Sequence, residues 1–341
     1  MRTYPSRESL APLRTAGRYR LNWTAMMATL HDETAAAFSE PSELLIDLKP
    51  FSVLSPDALV VIMALLRYRD QHAPHKTAIA VPNDRDGIGH LAATGFLSLA
   101  QHLNIPLANV SPIELFGLES PPSRDPLLKR IRPLLWVDID RVTASIPTIL
   151  SAELDRRDIN IPAGSERQGW LFSFRHLLQE ILTNALDHFP SDSSSTSDAV
   201  GFACYRPWPR SYPKLRFACS DVGEGFRASL KRRHSIQTHT DVQAIYEGFL
   251  FRAKPSPQKV VGLFDALAFL RVLAGRLSVS SLRGRITFDL GSERDRRLFS
   301  TFQEQPSLTS ISALGYAKLS RLSIPGTHYC IDLNFPVPDR L

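Results

Sequence analysis

Glu180 to His188 reads EILTNALDH, and Asp221 to Phe226 reads DVGEGF. The first segment sets a carboxylate and a carboxamide four residues apart, which on a helix is one face. Glu180 can orient or deprotonate a water or a hydroxyl. Asn184 offers a neutral oxygen of the kind Mg²⁺ accepts. In the second segment, Asp221 closes the apolar run LRFACS, Leu215 to Ser220, which reads as a short buried strand. A carboxylate there can accept a hydrogen bond from an amine. Gly223 and Gly225 let the backbone come close to a flat ligand.

The helix that must carry Glu180 and Asn184 is amphipathic. At about 100° per residue, His176, Glu180, Asn184, Asp187 and His188 fall in one arc. Phe174, Leu178, Ile181, Leu182, Ala185, Leu186 and Phe189 fall opposite. A solvated face usually mixes Lys, Arg and Glu, whereas this stripe holds groups suited to metal and proton work. A lone Asp-x-Gly-x-Gly also describes an ordinary turn. It gains specificity by following the Glu-x-x-x-Asn helix and one intervening strand, AVGFACY.

Taken together, these segments resemble the GHKL (Bergerat-fold) ATPase superfamily, and within it the anti-sigma-factor kinase branch. The resemblance covers roughly residues 136–341 and implies a two-layer α/β sandwich that binds ATP and Mg²⁺. It implies that Glu180 is the general base or water-orienting group, that Asn184 binds Mg²⁺ and that Asp221 accepts the adenine amine. Gyrase-like members carry an aspartate where Asp187 lies, and anti-sigma members often carry a histidine where His188 stands.

The family continues with a lid and then a glycine box that opens a helix. The candidate lid, 227–259, holds Lys231, Arg232, Arg233, Lys254 and Lys259, which can neutralise phosphates or simply form a solvated basic loop. Gly262 and Leu263 then open the apolar run LFDALAFLRVLAG, and N–H groups at such a helix start can hold phosphate oxygens. Val260 and Phe264 stand where the family usually has glycines. That departure leaves binding feasible and disfavours closure over the γ-phosphate.

A hairpin is expected from Leu277–Ser281, a turn at Arg283-Gly284, and Ile286–Phe288. Pro325-Gly326-Thr327 followed by HYCIDLNFP resembles the closing strand of the family, in which the threonine lies near the adenine; here that is Thr327. Between them, about 289–323, lies a longer segment than usual, either an interaction element or a loop with a helix.

The first part of the chain alternates strand and helix. ELLIDL and TAIAV read as strands; Pro56–Arg69 and Ile88–Leu103 read as helices with an apolar face. This pattern resembles a small STAS-type α/β sandwich, the fold of anti-anti-sigma factors, over residues 41–104. Ser55-Pro56-Asp57-Ala58 stands where that family has Asp-Ser-Ser-Gly, so Asp57 takes the place of the phosphorylated serine. Ser55 reads as a helix N-cap with Pro56 at the first helical position. The resemblance therefore implies a degenerate domain that accepts no phosphate. Residues 1–40 form an N-terminal extension, separate from this domain or part of it, and 105–135 form a proline-rich connector. Val137–Arg157 is expected to lead into the ATPase module as a helix, with homodimerisation as one role open to it.

Composition bounds the rest. At 341 residues with 43% hydrophobic content the chain has room for two cores. Cys204, Cys219 and Cys330 are too dispersed for a zinc site, and Cys204 and Cys219, in predicted strands, read as buried free thiols. No leader and no run of about 20 apolar residues is present, which implies a cytoplasmic protein away from membranes. The net charge of +6 is spread over KRIR at 129–132, RDRR at 294–297 and the lid, which reads as solvated surface and disfavours a nucleic-acid partner. Two functions follow from the resemblance. One is an ATP-gated regulator of a protein partner, with slow or no hydrolysis. The other is a serine/threonine kinase that passes the γ-phosphate to that partner.

Overall fold

A computed structural model of the protein describes residues 14–15, 18–21, 43–49, 51, 53–72, 76–108, 135–136, 165–187, 200–207, 213–250 and 263–334. His188, Gly262, the expected helix at 137–157 and most of the connector lie outside the described residues.

The structure is mixed α/β. In the first part, β3 (Leu44–Asp47) and β5 (Thr77–Ala80) pair in parallel. The extension joins this part: β1 (Arg14–Thr15) and β2 (Arg18–Leu21) form a small sheet in which β2 pairs in parallel with β4 (Val53–Leu54). The helix α1, Pro56–His72, follows at once. One helix was expected across 88–103. Two are present, α2 (Arg85–Ala93) and α3 (Phe96–His102), because Gly95 takes φ 75° between them and breaks the ladder. Asp84 caps α2 by accepting from the Gly87 N–H at 2.7 Å.

The second part is built on one antiparallel sheet of five strands, in the order β6-β7-β8-β10-β9. These are β6 (Leu135–Trp136), β7 (Val200–Pro207), β8 (Pro213–Ser220), β9 (Arg276–Asp289) and β10 (Gly315–Asn334). The expected hairpin is present within β9, which turns at Leu282 with φ 51°. Its halves face one another: Leu290 N–H donates to Gly275 O at 2.9 Å, and the hydroxyls of Ser278 and Thr287 lie 3.0 Å apart.

Helices α4 (Ser165–Asp187), α5 (Gly225–His234), α6 (Asp241–Leu250) and α7 (Leu263–Val272) accompany this sheet. The apolar stripe of α4 sits where the periodicity requires, with Phe174, Leu178, Ile181, Leu182 and Ala185 buried against Phe217, Cys219, Tyr329 and Ile331 of the strands. The described part of the expected lid, as far as Leu250, is mostly the two helices α5 and α6, which bury Phe226, Leu230, Ile245 and Phe249. The long segment before β10 is also helical, α8 (Glu293–Glu304) and α9 (Leu308–Leu314).

Alternation along the strands sorts their side chains to two faces. Phe217 and Cys219 join the core under α4 and α7, whereas Ala218 joins the core around α1. The helix α1 therefore covers the opposite face of the sheet. Ala58 to Leu66 are buried without interruption, as a helix packed on both sides demands. The expected single apolar face of α1 is in fact two.

Ser55 holds the N-cap position before Pro56, as expected, but without a side-chain capping bond. Its carbonyl accepts from Leu59 N–H at 3.0 Å, but its hydroxyl is buried and bonds to nothing among the described residues. The acidic group in the first turn is Asp57, and its carboxylate accepts from Arg216 of β8 at 3.0 Å.

Candidate nucleotide site

Strand β8 ends at Ser220, and the chain then bonds to the middle of β10. Asp221 N–H donates to Thr327 O at 3.0 Å, and Thr327 N–H donates to Asp221 Oδ1 at 3.0 Å. Gly223 N–H donates to the same oxygen at 2.9 Å. Both of these bonds fall on Oδ1, so the backbone sets the carboxylate plane. Asp221 and Thr327 are both buried. Burial pushes the Asp221 carboxyl up to about 7, partly offset by the N–H groups of Gly223 and Thr327.

Two glycines permit this closeness. Gly326 has φ 87°, and a side chain there would place its first carbon 1.9 Å from Asp221 O. Gly225 has φ 75°, and its first carbon would meet Ser281 Oγ at 2.6 Å. That hydroxyl is in use, since it accepts from Phe226 N–H at 3.0 Å and pins the start of α5 against β9. Gly223 is partly buried.

Asn184 lies across the same layer on α4, and its Nδ2 donates to the hydroxyl of Tyr329. Tyr329 is buried on β10, two residues after Thr327. This bond orients the amide and leaves Oδ1 as its acceptor end. Burial, with Asp221 and Cys219 nearby, drives the Tyr329 hydroxyl well above its ordinary range, so it stays protonated. Asn184 and Asp221 are thus both tied to one short stretch of β10, 327–329. Glu180, one turn before Asn184, is partly buried. Asp187 ends α4.

The polar stripe does not stay together along its whole length. His176 stacks on Phe269 of α7 at 5.3 Å and lies 4.1 Å from the ring of Phe172. It belongs to the seam between α4 and α7.

Leu263 is buried at the first position of α7. Phe264 is held in the core against Phe302 of α8 with ring centroids 5.2 Å apart. Arg271 of α7 lies over the ring of Phe299 at 5.8 Å and donates to Gln303 at 3.2 Å. Helix α8 therefore meets α7 through Phe264 near its start and Arg271 near its end.

Three contributors were not foreseen from the sequence: Tyr329, Gly326 as a steric requirement, and Ser281. Tyr329 and Asn184 are 145 residues apart, so no local pattern could pair them. Cys219 is a buried free thiol as expected, with its pKa raised first by burial and then by Asp221. Among the described residues no cluster of three or more His, Cys, Asp and Glu is placed to hold a metal, and no helix is long and apolar enough to cross a membrane. Comparison with family models, curated proteins and solved structures finds no match to this chain.

Proposed function

We propose that the chain is a cytoplasmic regulator that binds Mg-ATP in a GHKL-type module and controls a protein partner through nucleotide-dependent ordering of its lid, with slow or no hydrolysis. The observation that carries this reading is the convergence on 327–329. The buried Asp221 is held there by two N–H groups on a single oxygen, and the carboxamide of Asn184 is oriented by Tyr329. A buried carboxylate so oriented is suited to the amine of adenine and unsuited to the carbonyl that guanine carries in its place. An oriented carboxamide oxygen suits a Mg²⁺ that keeps most of its ligands as phosphate and water. Gly225 and Gly326 let the backbone around Asp221 pack closely on β9 and β10, which holds the carboxylate in place. When bound, the metal would neutralise phosphate charge; the chain itself binds and orients.

The packing of Phe264 against Phe302 favours gated binding over turnover, because a bulky residue anchored in the core stands where the glycine box needs freedom. Glu180 on the same stripe keeps the kinase reading as the second outcome. The test measures ATP and GTP binding with and without Mg²⁺, then follows γ-labelled ATP for free phosphate and for label on candidate partner proteins. Binding without release or transfer supports the regulator. Label on a partner establishes the kinase. Equal affinity for ATP and GTP removes both.

A further inference from the structure

The face of the sheet under α1 is unlike the face under α4 and α7. It carries Arg216 and Ser220 of β8 and His328, Cys330 and Asp332 of β10, all on the alternate set of positions. Arg216 and Asp332 are direct cross-strand partners, and the guanidinium grips the carboxylate with both forks: Nε to Oδ1 at 2.5 Å and Nη2 to Oδ2 at 2.7 Å. Its third nitrogen, Nη1, reaches out of the sheet to Asp57 Oδ1 at 3.0 Å, at the first turn of α1. One arginine thus joins two strands and the helix packed on them.

The rest of this contact is poorly satisfied for an interior. The hydroxyls of Ser55 and Ser220 are buried without partners among the described residues. His328 is buried, and burial pushes its imidazole down to about 3, so it contributes no charge. An ion triad beside unmatched hydroxyls gives less stability than an apolar contact of the same size. The triad and these hydroxyls form a polar patch in a seam otherwise lined by Ala218 and the buried apolar residues of α1.

The position of the triad relates it to the candidate site. Arg216 stands five residues before Asp221 on β8, and Asp332 five residues after Thr327 on β10. The two strands run in continuous register from Arg216–Asp332 to Ser220–His328, and the next bond is the one between Asp221 and Thr327. One end of this ladder holds the clamp, and the other, about 16 Å away at the rise of a strand, holds the candidate adenine site. Along that ladder Ala218 packs into the core of α1.

We propose that the first module regulates the nucleotide site in cis: α1, docked through Asp57 onto Arg216, holds the β8–β10 ladder in the arrangement that sets Asp221 against Thr327, and release of α1 lowers nucleotide affinity. The ligand in this statement rests on the ATP reading above; the mechanical coupling does not. Docked and released α1 are the two states, and each end of the ladder biases the other.

Hydrogen exchange on the full chain, read by mass spectrometry, tests both parts separately. In Asp57→Asn, exchange is expected to rise in α1 and also at 221–226 and 325–329, while α8 is unchanged. Asp57→Glu, which keeps the charge, is expected to restore the slower exchange. ATP affinity of Asp57→Asn is expected to fall at least about 5-fold, the lower range of measured couplings. By reciprocity, Mg-ATP is expected to slow exchange of α1 in the unaltered chain. Faster exchange confined to α1, with 221–226 and the ATP Kd unmoved, overturns the coupling. A chain that binds no nucleotide, yet whose 221–226 segment still responds to Asp57→Asn, overturns the ATP reading and leaves the coupling standing. If Asp57→Asn does not fold, the response of α1 to Mg-ATP in the unaltered chain and in Asp57→Glu decides, and no response in either overturns the proposal.

Discussion

Thr327 bonds Asp221 twice, donating its N–H to Oδ1 and accepting from the Asp221 N–H, each at 3.0 Å. This double bond extends the β8–β10 ladder by one step and spends its last rung on a carboxylate. An aspartate at the end of a strand thereby becomes a buried, oriented acceptor.

Asp221→Asn is expected to keep the two N–H contacts, since an amide oxygen also accepts, while its amide nitrogen faces the ligand with the wrong polarity. A loss of about 1–3 kcal/mol in ATP affinity follows from one mismatched polar contact. Isothermal titration of both proteins with ATP and GTP measures it. Unchanged ATP affinity would remove Asp221 from base recognition.

The pH dependence has a definite sign. Burial raises the Asp221 carboxyl from 3.8 to about 7 in the folded chain, so the folded state holds this proton more tightly than the unfolded one. The contribution to stability is fully present below the unfolded value. It is lost as pH rises through about 7. Binding runs the other way. With two N–H groups on Oδ1, a proton sits on Oδ2 and makes it a donor, whereas the carboxylate is the stronger acceptor for an amine. ATP affinity is therefore expected to increase as pH rises through about 7. Thermal melts of wild type and Asp221→Asn from pH 5 to pH 8 check the first claim, with the substituted chain losing that part of the pH dependence. Parallel slopes for the two proteins would refute it.

Tyr329→Phe removes the acceptor that orients Asn184 without changing the shape of the core. A stability loss of about 1 kcal/mol is expected for one hydrogen bond in the interior. Mg²⁺-dependent nucleotide binding is expected to weaken together with it, while Asn184→Ala abolishes the Mg²⁺ dependence. Titrating Mg²⁺ at fixed ATP distinguishes the two, and identical Mg²⁺ curves for Tyr329→Phe and wild type would show that the tyrosine is structural only.

Glu180→Gln separates chemistry from binding. Binding is expected to stay near wild type, and any turnover to drop by about 10²–10⁴-fold, the usual contribution of a general base. Phosphate-release assays read this directly. A wild type without turnover supports gated binding. Turnover that survives the change assigns Glu180 to the surface of α4.

Gly326→Ala meets two obstacles at once: a left-handed backbone and a carbon placed 1.9 Å from Asp221 O. Strain of this kind costs on the order of 1–3 kcal/mol before any clash is counted. The expected result is a lower melting temperature with loss of nucleotide binding, whereas Gly89→Ala, which meets open space on α2, leaves binding unchanged and does not lower the melting temperature. Equal melting temperatures for the two would contradict the geometry at 326.

The local elements were legible in the sequence because they follow from periodicity and turn chemistry. The stripe of α4, the strand before Asp221, the hairpin around Leu282 and the helix at Pro56 are all dictated within windows of some 5 to 20 residues. What joins them was not legible. Asn184 finds Tyr329 and Asp57 finds Arg216 across 145 and 159 residues, and no local rule selects such partners. One signal was in plain view: ALVVIMALL in α1 has no polar side, and a helix without a polar side is covered on both. The sequence by itself determined which residues could form strands, helices and a buried carboxylate at a strand end. Only the tertiary structure decided that α1 covers the second face of the sheet, that Phe264 packs on α8, and that two glycines yield their side chains to bring Asp221 against β10, because burial and steric fit are properties of surfaces that exist only after the chain has closed on itself.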